Sequence, residues 1–383
     1  MPTRKKKTVP VPKPVIDGPE FDEVDDDLDE ASEVIPYTYS ITAYGADYPV
    51  DGVIKRMKSG DIIVPTFTWE PTAGSEIVGF QREYVWGRPK ADKFIESLLL
   101  GLPVPGIFLV KELSGRFLVL DGHQRLFTLK SFYGGVINGV AYQLQDTVQE
   151  RFVGKGYEDL DVEDRRRLDD SIIHATVIRQ DQPTEDQSSI YIIFERLNTG
   201  GVNLQPQEIR VALYHGLFVG ALQRLNENKD WRTLFGSKVK RLKDMEMILR
   251  FFAFYYCSDS YRSPMKDFLN RYMAKNRALA HKDEKELTKT FAGATSLIAK
   301  VIGPRAFRPE RARVNAAVID SVMTGVARRL SDGPIKRNNQ LLKAYQSLLR
   351  DREYREAVET GTSQEAKVKT RLDKAIKAFE SVK

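Results

Sequence analysis

The feature that most constrains this fold is a change of hydrophobic period near residue 205. Downstream of Pro206, apolar residues recur at helical three- and four-residue spacing almost without a break. This spacing predicts helices over 206–226, 240–257, 264–279, 285–302, 313–330, 337–350 and 366–381. Gly303-Pro304 and Gly333-Pro334 separate several of them. Upstream the apolar runs are short and bounded by turn residues. They predict strands over 37–44, 62–65, 107–110, 117–120 and 172–178, with the third and fourth joined as a hairpin. Helices are expected over 50–58 and 185–197. Another is opened by Pro89 and Asp92 and stopped by Gly101 and Pro103. Residues 133–170 are polar and read as a segment wrapping the surface. The chain is therefore expected to be α+β: an α/β domain over 37–204 and an all-helical domain over 205–383. A charged tail, 1–36, precedes them.

The same boundary divides the charge. Residues 205–383 hold 36 Lys+Arg against 20 Asp+Glu, a net +16, and residues 1–204 hold 23 against 33, a net −10. Such a split marks either a polyanion-binding half or a solvated helical surface. The tail opens with Lys5-Lys6-Lys7 and three prolines, then carries an acidic block over 17–33. Like charges repel and bury little, so this tail is read as disordered. It either solubilises the chain or shields a basic surface until a partner displaces it. The single cysteine, Cys257, excludes an intramolecular disulfide and a multi-cysteine zinc site. No apolar run reaches the roughly 20 residues of a membrane helix, and no signal peptide is recognisable. The sequence reads as a soluble, cytoplasmic protein.

The chemistry concentrates between residues 117 and 128. Phe117 to Leu120 is a buried-strand run, Asp121-Gly122 breaks it, and a helical pattern begins after His123-Gln124-Arg125. A helix N-terminus favours anions, because its first N–H groups lack partners and its dipole is positive there. Arg125 offers a planar grip on a phosphate, and Asp121 a metal ligand or water-orienting group. Asp-Gly after a strand is also an ordinary turn, with Asp121 as a helix cap. No Walker-type Gly-Lys-Ser/Thr loop occurs. Of the four histidines, His174 and His215 fall on apolar elements and read as core residues, and His281 as solvated. None forms the closely spaced pair of an HNH-type nuclease.

Three stretches carry a joint signature: Phe80-Gln81-Arg82 with Tyr84 and Trp86; Asp121-Gly122-His123-Gln124-Arg125; and Phe194-Glu195-Arg196-Leu197-Asn198-Thr199-Gly200-Gly201 leading to Gln207-Glu208-Ile209-Arg210. In this order and spacing, over about 45–260, they resemble the N-terminal domain family of GmrSD-type modification-dependent restriction systems, related to the ParB/sulfiredoxin fold. Where that family has Gln after Asp-Gly, this chain has His123. The resemblance implies binding and hydrolysis of a nucleoside triphosphate (ATP or GTP), with Mg2+ at Asp121, coupled to nuclease control. By position, Asp121, His123, Gln124 and Arg125 would be catalytic. Gln81, Arg82, Gly122, Tyr84, Trp86 and Asn198 would bind nucleotide. Phosphoryl transfer needs charge neutralisation and water positioning, which Arg82, Arg125, Gln124 and an Asp-bound metal supply. Tyr84 and Trp86 stack on a base or pack in the core, and Asn198 with the Gly pair borders the pocket or caps a helix. The partners implied are DNA, through the basic helical half, and a separate nuclease subunit. The rival readings are a non-catalytic DNA-binding adaptor and a nuclease acting from the same pocket.

Overall fold

The computed structural model describes residues 24–25, 40–64, 84, 86–182, 188–197, 204–239, 241–280, 283–309 and 313–383. Its first part holds β1 (Val24–Asp25), β2 (Ser40–Pro49), α1 (Val50–Ser59), β3 (Ile62–Ile63), α2 (Arg88–Leu99), β4 (Ile107–Lys111) and β5 (Phe117–Asp121). Then come α3 (His123–Tyr133), the ribbon β6 (Val136–Ile137) and β7 (Val140–Ala141), α4 (Val162–Asp170), β8 (Ile172–Gln182) and α5 (Ser188–Leu197). The helical part comprises α6 (Pro206–Leu213), α7 (Leu217–Asn226), α8 (Lys229–Phe235), α9 (Lys243–Cys257), α10 (Met265–Asn276) and α11 (Glu284–Val301). It continues through β9 (Val314–Asn315), α12 (Ala316–Ser331), α13 (Asn338–Arg350), α14 (Arg352–Glu359) and α15 (Glu365–Glu380). The protein is α+β, as the change of period implies.

A five-stranded mixed sheet is ordered β2-β8-β4-β5-β3; its inner strands β4 and β5 are buried on both faces, and the edge strand β2 is largely exposed. The hairpin β4–β5 is antiparallel, while β4–β8 and β3–β5 run parallel. Side chains alternate across a pleated strand, so each strand serves two cores. Ile107, Leu109, Val119, Ile173, Ala175 and Val177 face a core closed by α1 to α4. Val110, Leu118, Leu120 and Ile178 face the opposite way, into one apolar core that continues through the helical half to Val382. The change of period at 205 therefore marks a change of secondary structure across which the core is continuous.

Local signals set the element ends. Gly60, at φ 80°, closes α1. Side chains of Asn228, Asp283, Asn315 and Asp351 accept the first-turn N–H groups of α8, α11, α12 and α14. The predicted helix over 206–226 is two helices, broken at Gly216, where a Cβ would lie 2.7 Å from the Arg277 carbonyl oxygen. Just before the break, His215 is buried beside Glu112, with Arg277 half-buried against both. Arg277 Nη2 donates to Glu112 Oε1 at 3.1 Å and lies 2.9 Å from His215 Nε2, joining β4's end to the helical half.

Three expectations need correction. Residues 133–170 are more than a surface wrap: they bury Tyr142, Leu144, Phe152, Leu160 and Leu168 and contain α4. Their charged side chains masked a sparse apolar pattern. His174 is exposed on β8, with Nδ1 2.6 Å from Asp47 Oδ1, because its neighbour there is the largely exposed edge strand β2. Within the segment read as a tail, Val24–Asp25 pairs in parallel with Val314–Asn315. The rest of 1–36 lies outside the described residues, as does His281.

Candidate functional site

The turn between β5 and α3 is built around Gly122. Its φ of 99° is left-handed, and a Cβ there would come within 2.4 Å of Ile107 Cγ2. Only glycine meets both conditions. The close approach seats the start of α3 on β4, so the four residues after the strand emerge in a fixed order. Leu126 donates its N–H back to the Gly122 carbonyl at 3.0 Å, which makes Gly122 the helix N-cap. Asp121 does not cap the helix with its side chain.

Arg125 Nη2 donates to Asp121 Oδ2 and to the Gly106 carbonyl, each at 2.8 Å. Asp121 is about half exposed, whereas Arg125 is largely covered. Its Nε is buried with no acceptor. The arginine is thus anchored by one nitrogen, and its carboxylate partner turns an edge to solvent.

Gln124 is buried, and its Oε1 accepts the Trp86 N–H at 3.3 Å. That bond fixes the amide, so Nε2 faces His123 Nε2 at 3.0 Å. An amide nitrogen can only donate, so His123 Nε2 is the acceptor in this contact. Behind this pair, Thr128 Oγ1 donates to the Gln124 carbonyl and lies 2.9 Å from the Tyr84 hydroxyl. The Tyr84 ring packs on Phe127 with centroids 4.6 Å apart, and Trp86 meets Phe94 edge-on at 5.7 Å. Both rings pack against the core, and Lys90 Nζ lies over the Trp86 ring, 4.8 Å from its centroid. Burial raises the Tyr84 hydroxyl above its ordinary pKa, so it stays protonated near neutrality.

The structure therefore brings together Asp121, Gly122, His123, Gln124, Arg125, Tyr84 and Trp86. Gln81, Arg82 and Asn198 lie outside the described residues. Sequence reasoning missed Gly106 and Ile107, whose carbonyl and methyl group set the arginine and the turn. The signal available was their position in the hairpin partner of β5. Among the described residues no three His, Cys, Asp or Glu side chains are grouped to hold a metal. Magnesium is commonly held by one or two carboxylates together with substrate phosphates. Asp121 can contribute one oxygen, Oδ1, since Oδ2 is taken by Arg125. No helix among the described residues is long and apolar enough to cross a membrane.

Residues 69–215 match the family model described as GmrSD restriction endonuclease, N-terminal domain. The match encloses all three motifs and ends at His215, so the resemblance carried by those motifs is shown over this segment, which is narrower than 45–260. No curated protein and no solved structure matches the chain.

Proposed function

We propose that this chain is a nucleoside-triphosphate-binding and hydrolysing regulatory subunit of a DNA-targeting restriction or anti-phage system. The sheet half would be its ParB/sulfiredoxin-like nucleotide domain. The observation that carries the reading is the turn Asp121-Gly122-His123-Gln124-Arg125 at the start of α3, inside the matched segment. There a helix N-terminus, an anchored arginine and a half-exposed carboxylate converge. In this reading Arg125 neutralises phosphate charge, and Mg2+, where Asp121 Oδ1 holds it, supplies further charge neutralisation at the phosphates. Gln124 and His123 orient the attacking water, with Gln124 itself held by the Trp86 backbone. Gln81 and Arg82 would complete the phosphate contacts and Asn198 the pocket border.

DNA would meet the helical half. Among the described residues there, the buried charged groups are nearly balanced in sign. Arg210, Arg250, Lys266, Arg308 and Arg371 are set against Glu208, Asp244, Glu246 and Asp320. The positive excess of this half therefore stays at its surface, where phosphates can reach it. A separate chain would supply the nuclease.

Phosphate release by purified protein with ATP or GTP and Mg2+, with and without DNA, tests the reading. Hydrolysis is expected and should be lost in Arg125→Ala. Wild-type protein that binds neither nucleotide would refute the site. Binding without turnover would leave the adaptor reading, in which nucleotide acts only as a switch. The pairing of Asp121 with Arg125 is the observation that favours that second reading. Substituting His123→Gln restores the residue usual in the family and removes the only imidazole at the turn. Any fall in binding as pH drops through the imidazole range should flatten in that variant.

A further inference from the structure

Tyr84 and Trp86 reach α3 at two places, and both bear on Gln124. The Trp86 N–H donates to Gln124 Oε1 at 3.3 Å, and the Tyr84 hydroxyl lies 2.9 Å from Thr128 Oγ1. Thr128 is fully buried, one helical turn after Gln124. A threonine hydroxyl carries a single proton. Thr128 donates it to the Gln124 carbonyl at 2.8 Å, so its oxygen must accept from Tyr84. The chain of bonds therefore has one direction, from the Tyr84 hydroxyl through Thr128 to the main chain of Gln124. The Tyr84 ring holds the same turn of α3 through Phe127, with centroids 4.6 Å apart.

The two contacts differ in tolerance. At 3.3 Å the Trp86 bond is longer than most N–H···O bonds, so a small drift of the chain there would break it. The Tyr84 bond, at 2.9 Å to a buried partner, lies within the usual range for two hydroxyls. It fixes the chain two residues before Trp86. With the Trp86 N–H in place, the Gln124 oxygen is engaged and Nε2 lies 3.0 Å from His123 Nε2. Losing that donor weakens the preference for this orientation of the carboxamide. Arg125 is held independently, by the Gly106 carbonyl and the Asp121 carboxylate. Loss of the Tyr84 hydroxyl should therefore disturb Gln124 and leave Arg125 in place.

We propose that Tyr84 and Thr128 are positioning residues for Gln124: their hydrogen bond pins the stretch carrying Trp86 to α3, so that the Trp86 N–H orients the Gln124 carboxamide. Tyr84 then acts through its hydroxyl, and its ring is not a platform for a base. The effect on turnover rests on the reading of the β5–α3 turn as a hydrolysis site. The pin itself does not.

The test uses the full chain with ATP or GTP and Mg2+, together with hydrogen exchange at the Trp86 amide, which needs no nucleotide. Tyr84→Phe keeps the ring and removes only the hydroxyl. It should lower kcat about 10- to 100-fold, as a misplaced water-orienting group does, and speed exchange at Trp86. KM should change by less than about twofold, because Arg125 keeps its anchors. Thr128→Val, which keeps the branched shape, should behave in the same way, and Thr128→Ser should restore most of the rate. The double variant Tyr84→Phe/Thr128→Val should lose little more than either single one, since each breaks the same bond. A base platform predicts the reverse, full activity and unchanged exchange in Tyr84→Phe, and that result would overturn the proposal. Faster Trp86 exchange with kcat unchanged would overturn it as well, because the bond would then be structural only. Wild-type protein without hydrolysis would refute the nucleotide reading, and exchange alone would then decide. Faster exchange in Tyr84→Phe supports the pin, and unchanged exchange sinks it.

Discussion

Two ion-pair systems in this protein invite comparison. At the β5–α3 turn, Asp121 and Arg125 are four residues apart, and the carboxylate is half open to solvent. In the helical core, Asp320 joins Arg250 and Arg371, which lie 70 and 51 residues away in the chain, and all three are buried. Asp121 ends β5 and Arg125 lies in the first turn of α3, so this pair forms with the local turn, and its carboxylate is screened by water. Removing one partner from a buried pair instead strands a charge in the interior. The first pair can therefore open at a smaller cost than the second, which can only hold the fold.

The largest effect should follow from breaking the buried system. Asp320→Ala leaves two guanidiniums facing each other and should cost about 3–5 kcal/mol in urea unfolding. Asp320→Asn keeps an acceptor and should lose less. A loss below about 1 kcal/mol for Asp320→Ala would show that water reaches this site, and the contrast would fail.

Next in size is the turn itself. Gly122→Ala imposes a left-handed alanine and a clash with Ile107, together about 2–4 kcal/mol. The local site would then depend on backbone shape more than on charge. An unchanged unfolding midpoint would mean that the turn rearranges freely.

A pH titration sharpens the comparison at the junction of the two halves. Burial, and then the neighbouring Arg277, depress the pKa of His215 below its ordinary 6.5, against a smaller upward pull from Glu112. The folded protein holds it neutral, whereas the unfolded chain takes up a proton. Stability should be intact above about pH 6.5 and fall as pH drops below that value. His215→Gln should lessen this fall. Glu246, drawn down to about 2 against burial by Lys243 and Arg210, contributes stability above its ordinary 4.5 that is lost between 4.5 and 2.

The smallest stability change is expected for Arg125→Ala, about 1 kcal/mol, since its partner is half solvated. A loss as large as that of Asp320→Ala would make the turn pair structural and remove the distinction.

The same contrast explains what could be read from the sequence. The β4–β5 hairpin, the Asp-Gly turn and the start of α3 are local, and each follows from residues within a few positions. The left-handed Gly122 is legible as a glycine after a strand. Its need to clear Ile107, fifteen positions earlier, is not. That Arg125 also bonds the Gly106 carbonyl, nineteen positions away, leaves no pattern in the sequence. The break at Gly216 stayed hidden for the same reason: it depends on the approach of Arg277. In the helical half, the arginines at 250 and 371 entered only as part of the net positive charge, since nothing in spacing reveals that Asp320 waits for them inside.

The pairing of Val24–Asp25 with Val314–Asn315 has a consequence for association. It ties one point of the segment 17–33 to the helical half of the same molecule. On the proposed reading, in which DNA meets that half, the acidic residues would act as a tethered competitor at an effective concentration of about millimolar. A polyanion arriving from solution would then have to outcompete the tether, and short or sparsely charged strands should lose to it where long, densely charged ones displace it. Deleting residues 1–36 would remove that threshold and should lower the charge needed for capture.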